Sequence, residues 1–430
     1  MSDLVSTFNQ KNAPYFLDEN WIWYYWKDII SSYQQGLIRS NSELIEIDGI
    51  DYFKMNFINE NGTYTFNGLP KTFATSEEID NYKIKNGDFF INVRNSKELV
   101  GKSCVVYDVN KNILFNHMLV RINHKEYVTG SFINAYFNTK FGKKLIETCK
   151  KGTTTVIALY QKDLYNIPIP IPKKKILEGI DEIYNSINKK IELNNRINAE
   201  LEAMAKTLYD YWFVQFDFPN VENKPYKTSG GKMLYNETLK REIPEGWEVK
   251  KLYEIANITM GQSPNGESYN EENNGMIFFQ GSTDFGWRFP TNRMYTTSPT
   301  RFAQEDDVLL SVRAPIGTMN IAMEDCCIGR GLAAINSKDG FSSYLTYQMN
   351  NFKKKFDYLN SVGTTFGSLT KDELYNLELP YPSESILKNF EAKIQIYDKK
   401  IKNNSKQNQE LSALRDWLLP MLMNGQVKVG

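Results

Sequence analysis

The chain has 430 residues, which is long for one ordinary domain and predicts about three or four modules. Lys plus Arg and Asp plus Glu number 51 each, so the net charge is zero. This counts against a non-specific nucleic-acid coating protein but is compatible with positive charge confined to two clefts. Four cysteines without CxxC spacing, only two histidines, and no apolar run of about eighteen residues argue against a zinc site and a membrane-spanning helix.

The N-terminal part of the chain, residues 1–172, is predicted to form a β-rich globular domain. Short apolar runs alternate with turns between Leu44 and Ile122, and a basic segment at residues 136–151 has a helical pattern. Prolines at positions 168, 170 and 172 exclude a helix and are expected to end the domain. The first residues show no basic start followed by an apolar run, so we expect a cytoplasmic protein without a signal peptide.

Residues 173–216 are predicted to form a long helix that packs against another helix. Seam positions recur at alternating steps of four and three for about five heptads, which is the pattern of a coiled coil. The predicted seam consists of Ile176, Ile180, Ile183, Ile187, Lys190, Asn194, Ile197, Leu201, Met204, Leu208 and Tyr211.

The same organisation occurs a second time. A polar linker at residues 217–242 leads to a second β-rich domain at residues 243–382, a second long helix at residues 383–424 and a tail at residues 425–430. The second seam follows the first without a gap, 210 residues later. It consists of Ile386, Phe390, Lys393, Tyr397, Lys400, Asn404, Gln407, Leu411, Leu414, Leu418 and Met421.

This duplication predicts an α+β fold of two α/β globular domains joined by two long, antiparallel, coiled-coil-like helices with internal pseudo-two-fold symmetry. Antiparallel pairing is expected because it places the end of the first helix beside the start of the second, so the linker need not run back along the bundle. Asn194 and Asn404 lie near the middle of their seams, where polar residues can fix the register at a cost in stability. Solvation of a loosened midpoint explains them equally well.

Several motifs resemble those of one family. They are Ile-Pro-Glu-Gly-Trp at 243–247, Gly-Gln-Ser-Pro at 261–264, Gln-Gly-Ser at 280–282, the segment VLLSVRAPIG at 308–317, and a Gly-Thr-Thr motif and long helix that each occur twice. In this order they resemble the specificity subunit of type I restriction-modification systems over nearly the whole chain. The first domain departs from the pattern, since it lacks a Pro-x-Gly-Trp entrance and the Gly-Gln-Ser-Pro turn.

The resemblance implies a non-catalytic subunit whose two target recognition domains each read one half of a split, asymmetric site in double-stranded DNA. It also implies that the helices space the domains and dock two methyltransferase subunits, with restriction subunits that translocate DNA joining for cleavage. S-adenosylmethionine, ATP and Mg²⁺ would then be bound by the partners and not by this chain. The exposed flank of the first helix, expected to be the docking face, carries Lys189, Glu192, Arg196 and Glu200.

The expected DNA contacts are side chains that reach base edges or phosphates, with Arg to guanine and Asn or Gln to adenine as favoured pairs. Arg94 and Arg313 rank highest because each follows an apolar strand, FFINVR and VLLSVR. In the first domain the candidates are Arg39, Lys54, Asn92, Arg94, Asn95, Lys97, Lys102, Thr153 and Thr154. In the second they are Gln262, Ser263, Gln280, Ser282, Thr283, Arg288, Thr300, Arg301, Arg313, Arg330, Thr364 and Thr365. For any one of them a solvated surface position is an equally good explanation.

The length of the helices predicts bipartite recognition. A helix of about 36 residues is roughly 54 Å long. If the helix pair lies along a duplex, this length corresponds to about 16 base-pair steps. Two domains that far apart are expected to read half-sites separated by several unread base pairs.

Two alternatives remain open: the chain is itself an enzyme within a methylating nuclease, or it is a scaffold whose domains bind proteins. The sequence contains no NPPY-like or DPPY-like methyltransferase motif and no DEAD-like helicase motif, which counts against an enzyme. The Gly-x-Gly-x-x-Ala spacing at residues 329–334 matches a dinucleotide-binding turn, but no helix pattern follows it.

Overall fold

The computed structural model describes residues 19–152, 156–362, 368–427 and 429, and these fall into two compact units. Unit 1 extends up to Asn194 and resumes at Gln407, whereas unit 2 extends from Asn195 to Lys406. Each unit therefore contains one globular domain and a part of each long helix. Among the helices in these described ranges, none has the length and apolar character needed to cross a membrane.

Unit 1 alternates short strands with short helices before the first long helix begins. Its elements are β1 (Trp21–Tyr25), α1 (Trp26–Ile29), β2 (Ile30–Gln35), β3 (Ile50–Phe53), β4 (Lys71–Thr72), α2 (Ser76–Tyr82), β5 (Phe89–Asn92), β6 (Arg94–Asn95), β7 (Ser103–Val105), β8 (Ile113–Phe115), β9 (Leu119–His124), α3 (Gly130–Asn138), α4 (Lys140–Cys149), β10 (Lys150–Gly152), β11 (Ile157–Leu159), α5 (Gln161–Leu164), β12 (Pro168–Pro172) and the first part of α6 (Lys174–Tyr209).

Unit 2 begins within α6, which continues as a π-helical turn at Asp210–Val214. Its further elements are β13 (Met233–Asn236), β14 (Arg241–Pro244), β15 (Glu248–Lys251), α7 (Leu252–Ile255), β16 (Ala256–Met260), β17 (Tyr269–Asn270), β18 (Met276–Phe279), β19 (Tyr295–Thr296), β20 (Phe302–Ala303), β21 (Val308–Ser311), β22 (Met319–Ile321), β23 (Cys326–Ile328), β24 (Leu332–Ser337), α8 (Ser342–Asn351), α9 (Lys353–Val362), α10 (Lys371–Tyr375), β25 (Glu378–Tyr381) and α11 (Glu384–Met423), whose last part belongs to unit 1.

The central sheets of the two globular domains have the same strand order, including the front parts where the sequences match poorly. A four-stranded antiparallel sheet has the order β2-β9-β5-β7 in unit 1 and β16-β24-β21-β22 in unit 2. A second sheet contains one parallel pair, β3 with β8 in unit 1 and β18 with β23 in unit 2. The duplication therefore extends to the front part of the domain, although the second sheet has three strands in unit 1 and five in unit 2.

In both domains the entering strand pairs with the strand that precedes the long helix. Strand β1 pairs antiparallel with β12, and β15 pairs antiparallel with β25. Each pair is a two-stranded ribbon, so the prolines of β12, which lack an N–H, do not interrupt the interior of a larger sheet. The proline-rich strand thus ends the domain at the point where the helix begins.

The two long helices pack together in antiparallel orientation within each unit, as the duplication predicted. In unit 1, Leu177 near the start of α6 shares a buried core with Leu422 near the end of α11. In unit 2, Tyr209 at the end of α6 shares a buried core with Leu387 near the start of α11. These cores also contain residues of the globular domains, so each domain packs on the helices beside it.

On each long helix, part of the predicted seam is buried. At several other seam positions, the buried residue is the next one along the chain. Buried seam positions are Ile180, Asn194, Phe390 and Asn404. Half-buried ones are Ile176, Ile183, Ile187, Ile197, Leu201, Leu208, Ile386, Tyr397, Leu411 and Leu418, and Leu414 is 44% exposed. Residues buried one position further along are Leu177, Tyr184, Asn198, Ala205, Leu387, Ile394, Ile401 and Arg415. The one-residue offset is the same from the start to the end of both helices, and packing on the globular domain widens the stripe beyond a two-helix seam.

Buried amides pair across the helices near the middle of both seams. In unit 1 the Nδ2 of Asn194 donates to Oδ1 of Asn408 at 2.8 Å and to Oε1 of Gln407 at 2.8 Å. In unit 2 the Nδ2 of Asn404 donates to Oδ1 of Asn198 at 2.9 Å. The two asparagine pairs are equivalent under the offset of 210 residues, since Asn404 follows Asn194 and Asn408 follows Asn198 by that interval. Asn194, Asn198 and Asn404 are buried and Asn408 is half-buried, so their hydrogen bonds favour a role in setting register.

Equivalent carboxylates of the long helices accept hydrogen bonds from the N-terminal end of a helix in each globular domain. Asp181 Oδ2 accepts from Oγ1 of Thr129, the N-cap residue of α3, at 2.6 Å. Glu391, 210 residues later, accepts from the backbone N–H of Ser343 in the first turn of α8 at 3.1 Å. Burial raises the pKa of both carboxyls, that of Asp181 to about 6. In each unit, a partly desolvated carboxyl group of a long helix is therefore hydrogen-bonded to the globular domain.

The asparagine pair in unit 2 predicts a non-additive effect of mutation on stability. Asn404→Leu leaves Oδ1 of Asn198 buried without its donor, so the free energy of unfolding should fall by about 1–3 kcal/mol. Asn198→Leu/Asn404→Leu removes both amides and should recover most of that loss in equilibrium urea unfolding. The exposed neighbour Asn403 supplies the control, Asn403→Leu, with a change within about 0.5 kcal/mol. Additive losses in the double variant would contradict this role.

The raised pKa of Asp181 predicts a pH-dependent destabilisation of unit 1. The folded-state pKa of about 6 lies above the ordinary value of 3.8, so stability from the protonated acid is present below about pH 4 and is lost as pH rises through about 6. Asp181→Asn should therefore raise the free energy of unfolding at pH 7.5 by about 1–3 kcal/mol. The gain should shrink as the pH is lowered towards 4, as thermal melts at several pH values would show. Glu182→Gln, at the exposed adjacent position, should change neither the free energy of unfolding nor its pH dependence. A stability gain in Asp181→Asn that does not depend on pH would argue against ionisation as the cause.

Candidate nucleic-acid interface

Four turns of unit 2 meet at one end of its central sheet. The backbone N–H of Gly261 donates to the carbonyl of Leu332 at 2.9 Å, and that of Gly329 donates to the carbonyl of Phe279 at 2.8 Å. The N–H of Gly331 donates to the carbonyl of Gln280 at 3.2 Å. The Gly-Gln-Ser-Pro turn, the Gln-Gly-Ser turn and the turn at 329–331 therefore form one surface, and the loop at 298–301 joins it through Thr300. We call this the loop surface of unit 2.

Glycines are required where these turns touch. A Cβ atom on Gly261 would lie 2.2 Å from the carbonyl oxygen of Gly329, and one on Gly331 would lie 2.7 Å from the carbonyl oxygen of Gln280. The Gly-x-Gly-x-x-Ala spacing is thus explained by close backbone packing. It leads into strand β24 and not into a helix, so the geometry of a dinucleotide-binding turn is not formed.

The loop surface of unit 2 gathers most of the predicted contacts of the second domain. Its exposed members are Gln262, Gln280, Thr283, Thr300, Arg301, Arg313 and Arg330, and its half-buried members are Ser263 and Ser282. Thr300 Oγ1 donates to the carbonyl of Gln262 at 2.5 Å, and Ser263 Oγ accepts from the N–H of Arg330 at 3.3 Å. The ion pairs found among the described residues do not involve Arg301, Arg313 or Arg330, so these guanidinium groups can reach a ligand.

Arg313 is positioned by the strand before it and by the segment that follows the second Gly-Thr-Thr motif. The N–H of Val312 donates to the carbonyl of Gly331 at 2.9 Å, and its carbonyl accepts from Leu369 N–H at 2.8 Å. Arg313 itself pairs with Ser368 in an antiparallel bridge. The motif residues Thr364 and Thr365 lie outside the described residues. The exposed guanidinium of Arg313 therefore leaves the core from a backbone fixed on both sides.

Unit 1 builds the same backbone arrangement from different residues. Gly36 N–H donates to Leu119 carbonyl at 3.2 Å, and Asn116 N–H donates to Phe53 carbonyl at 2.9 Å. The N–H of Val93 donates to the carbonyl of Met118 at 2.9 Å. These bonds correspond one by one to those of Gly261, Gly329 and Val312. The residues following β2, β3 and β8 and preceding β6 therefore form the loop surface of unit 1.

The turn at Gly36 takes the place of the Gly-Gln-Ser-Pro turn, which the first domain lacks. A Cβ on Gly36 would lie 2.3 Å from the carbonyl oxygen of Asn116, as one on Gly261 would lie 2.2 Å from that of Gly329. Sequence reasoning missed this turn because only its glycine is shared. A glycine near the start of each domain, at positions 36 and 261, was the shared signal that could have identified it.

Arg94 occupies the position of Arg313 in the loop surface of unit 1. It is exposed, belongs to β6 and pairs with Ala158 of β11, the strand that follows the first Gly-Thr-Thr motif. The N–H of Leu159 donates to the carbonyl of Val93 at 2.8 Å, as Leu369 does to Val312 in unit 2. Thr153 and Thr154 lie outside the described residues. The parallel between Arg94 and Arg313, predicted from two short sequence segments, thus extends to their backbone partners.

The other candidates of the first domain have more local roles in the folded chain. Asn92 is fully buried and its Nδ2 donates to Leu99 carbonyl at 2.9 Å, which shapes the loop that carries Asn95, Lys97 and Lys102. Lys97 and Lys102 form partly exposed ion pairs with Glu147 at 3.9 Å and Glu60 at 3.6 Å. Arg39 pairs with Glu78 at 2.8 Å. Lys54 is half-buried and follows Phe53 as Gln280 follows Phe279.

Arg288 lies apart from the loop surface of unit 2. Arg288 is 8% exposed, and its guanidinium group forms ion pairs with Glu202 of α6 and Asp398 of α11. Truncation of one member of such a buried ion group leaves unpaired buried charge and costs about 3–5 kcal/mol. These contacts indicate that Arg288 holds the second domain on the long helices.

The described residues contain no group of three or more His, Cys, Asp or Glu side chains that could hold a metal ion. The four cysteines are free and buried, and burial raises the pKa of Cys104, Cys149 and Cys326. The four thiols therefore act as small apolar core residues.

The family described as the type I restriction modification DNA specificity domain matches residues 21–203 and 244–413 of this chain. One relative is the putative type I restriction enzyme MjaX specificity subunit of Methanocaldococcus jannaschii, 28% identical over 438 residues that cover 96% of this chain and 95% of that protein. Another is the type I restriction enzyme HindI specificity subunit of Haemophilus influenzae, 24% identical over 350 residues that cover 66% of this chain and 74% of that protein.

The fold is also similar to that in the crystal structure of a type I restriction-modification system S subunit from M. genitalium. The TM-score is 0.59 at 16% identity, and the match covers 95% of this chain and 97% of that one. Because the family matches both halves of the chain, as the sequence motifs predicted, this protein belongs to the type I restriction-modification DNA specificity family and is a non-catalytic DNA specificity subunit.

Proposed function

We propose that each unit reads one half of a bipartite, asymmetric site in double-stranded DNA through its own loop surface. The observation that carries the proposal is the repetition of one backbone arrangement with different side chains. Gly36 and Gly261 make the same close approach, whereas the neighbouring residues are Leu37 in unit 1 and Gln262 in unit 2. Two copies of one surface with unlike side chains are suited to two unlike half-sites.

The side chains of the loop surfaces suit major-groove recognition. An arginine fork can donate two hydrogen bonds to guanine O6 and N7, and glutamine can bond adenine at N6 and N7. Arg313, Arg330, Gln262 and Gln280 supply these groups in unit 2, and Arg94 supplies one in unit 1. The exposed lysines Lys143 and Lys354 can contact phosphates, which adds affinity without reading sequence.

The long helices are proposed to set the distance between the half-sites and to dock the partner subunits. The 36 residues of α6 give a length of about 54 Å. Lys189, Glu192, Arg196 and Glu200 are exposed along α6, which supports a docking face for two methyltransferase subunits. We further propose that restriction subunits join this assembly in the cytoplasm, and that S-adenosylmethionine, ATP and Mg²⁺ are bound by these partners.

The two arginines predict independent losses of half-site discrimination. In the complex with the methyltransferase, Arg313→Ala should reduce discrimination at one half-site by about 1–3 kcal/mol, which is about 5- to 150-fold. Arg94→Ala should do the same at the other half-site only. Sequencing of methylated sites in DNA from cells that carry each variant measures both effects.

Arg313→Lys separates base contact from phosphate contact, since lysine retains the charge but not the planar fork. Lost discrimination with retained affinity is expected of a base contact.

Lys354→Ala should instead weaken binding to all sequences and make its salt dependence shallower. A single arginine variant that relaxes both half-sites equally would contradict the division of labour between the units.

A further inference from the structure

The turn at residues 116–118 of unit 1 is equivalent to the turn at residues 329–331 of unit 2. Asn116 N–H donates to the carbonyl of Phe53 as Gly329 N–H donates to that of Phe279, at 2.9 and 2.8 Å. On the other side, Met118 and Gly331 each accept from a valine N–H, both at 2.9 Å. The residue between them is His117 in unit 1 and Arg330 in unit 2. His117 therefore stands where the second domain presents an exposed arginine.

The backbone of His117 is held from two directions. Its N–H donates to the carbonyl of Leu37 at 3.0 Å, and its carbonyl accepts from Nε2 of Gln35 at 2.8 Å. Both partners belong to the Gly36 turn, so the imidazole is carried by two joined turns of the loop surface. These backbone contacts therefore fix where the half-buried ring lies in the loop surface.

The imidazole of His117 has hydrogen-bonding capacity that the described part of the chain does not use. Its Nδ1 is buried and has no hydrogen-bond partner among the described residues. Burial lowers the pKa of His117, and the nearby positive charge of Arg94 lowers it further. The ring is therefore neutral near pH 7, with one nitrogen that donates and one that accepts.

The other histidine shows what a structural imidazole looks like in this domain. His124 lies at the far end of β9, and its Nε2 accepts from Nε1 of Trp26 at 3.0 Å. Its ring also stacks on Trp26, with centroids 6.2 Å apart. Such contacts explain His124 as a core residue. Nδ1 of His117 has no such partner among the described residues, although the backbone of the residue is equally well held.

We propose that His117 is a specificity-determining residue that contacts a base edge in the half-site read by unit 1. It acts beside Arg94, as Arg330 acts beside Arg313 in unit 2. This inference rests on the proposed function and adds a residue that the sequence did not single out. A neutral imidazole can donate to guanine O6 or N7 or accept from an exocyclic amine, so a base edge suits it.

The test compares His117→Ala, His117→Arg and His117→Gln in the complex with the methyltransferase, with methylated sites mapped by sequencing. His117→Ala should reduce discrimination at one base pair of the unit 1 half-site by about tenfold. His117→Arg, which introduces the residue found at the same position in unit 2, should change which base is preferred there. The unit 2 half-site and the gap should stay as in the wild type. Lys125→Ala, exposed beyond the other end of β9, is the matched control.

Thermal melts of each variant distinguish misfolding from altered reading, and His117→Gln supplies a milder change if the alanine variant melts early. Wild-type discrimination in folded His117→Ala and His117→Arg would overturn the inference while leaving the proposed function intact. Equal loss at both half-sites would overturn it as well. Failure of Arg94→Ala and Arg313→Ala to alter either half-site would instead count against the proposed function itself.

Discussion

The hydrogen-bonded asparagine pairs between α6 and α11 are the constraint on which the rest of the chain depends. An apolar seam alone tolerates a shift by one heptad, because one aliphatic residue replaces another. With Asn194 bonded to Asn408 and Asn404 bonded to Asn198, a shift would leave buried amides without partners. Each unsatisfied group costs about 1–3 kcal/mol, so one register is favoured. Register matters because each globular domain ends directly before a long helix and is fixed to it by Asp181 or Glu391.

In each domain, backbone contacts determine the shape of the loop surface, and the side chains determine its chemistry. Backbone hydrogen bonds and the close approaches of Gly36 and Gly261 determine where the turns lie. These bonds do not depend on the side chains between them, so Leu37 can stand for Gln262 and His117 for Arg330 without altering the turn. Such an arrangement lets the recognised sequence change while the fold stays constant. It also explains why the front parts of the domains match poorly in sequence although their central sheets have the same strand order.

Much of the architecture was predictable because long-range repetition is visible in sequence. The heptad spacing predicted the two long helices. The recurrence of the first helix 210 residues later predicted that the two pair with each other. The spacing could not show which residue of each adjacent pair is buried, since that depends on packing against the globular domain, as at Leu177 beside Ile176. Arg94 and Arg313 were ranked together because each ends an apolar strand with the shared pair Val-Arg. The Gly36 turn was missed because its equivalence is carried by backbone bonds, and Arg288 was grouped with surface arginines because its two carboxylate partners are distant in sequence.

The claim that one chain reads two half-sites at a distance set by its helices is tested by sequencing methylated sites in DNA from cells that carry the wild-type complex. We expect two unlike specific tracts separated by base pairs of any sequence, with a gap of one constant length. The two helices have fixed lengths and the asparagine pairs favour one register, so the gap should not vary from site to site. A single continuous specific tract, two identical half-sites, or a gap of variable length would contradict this interpretation.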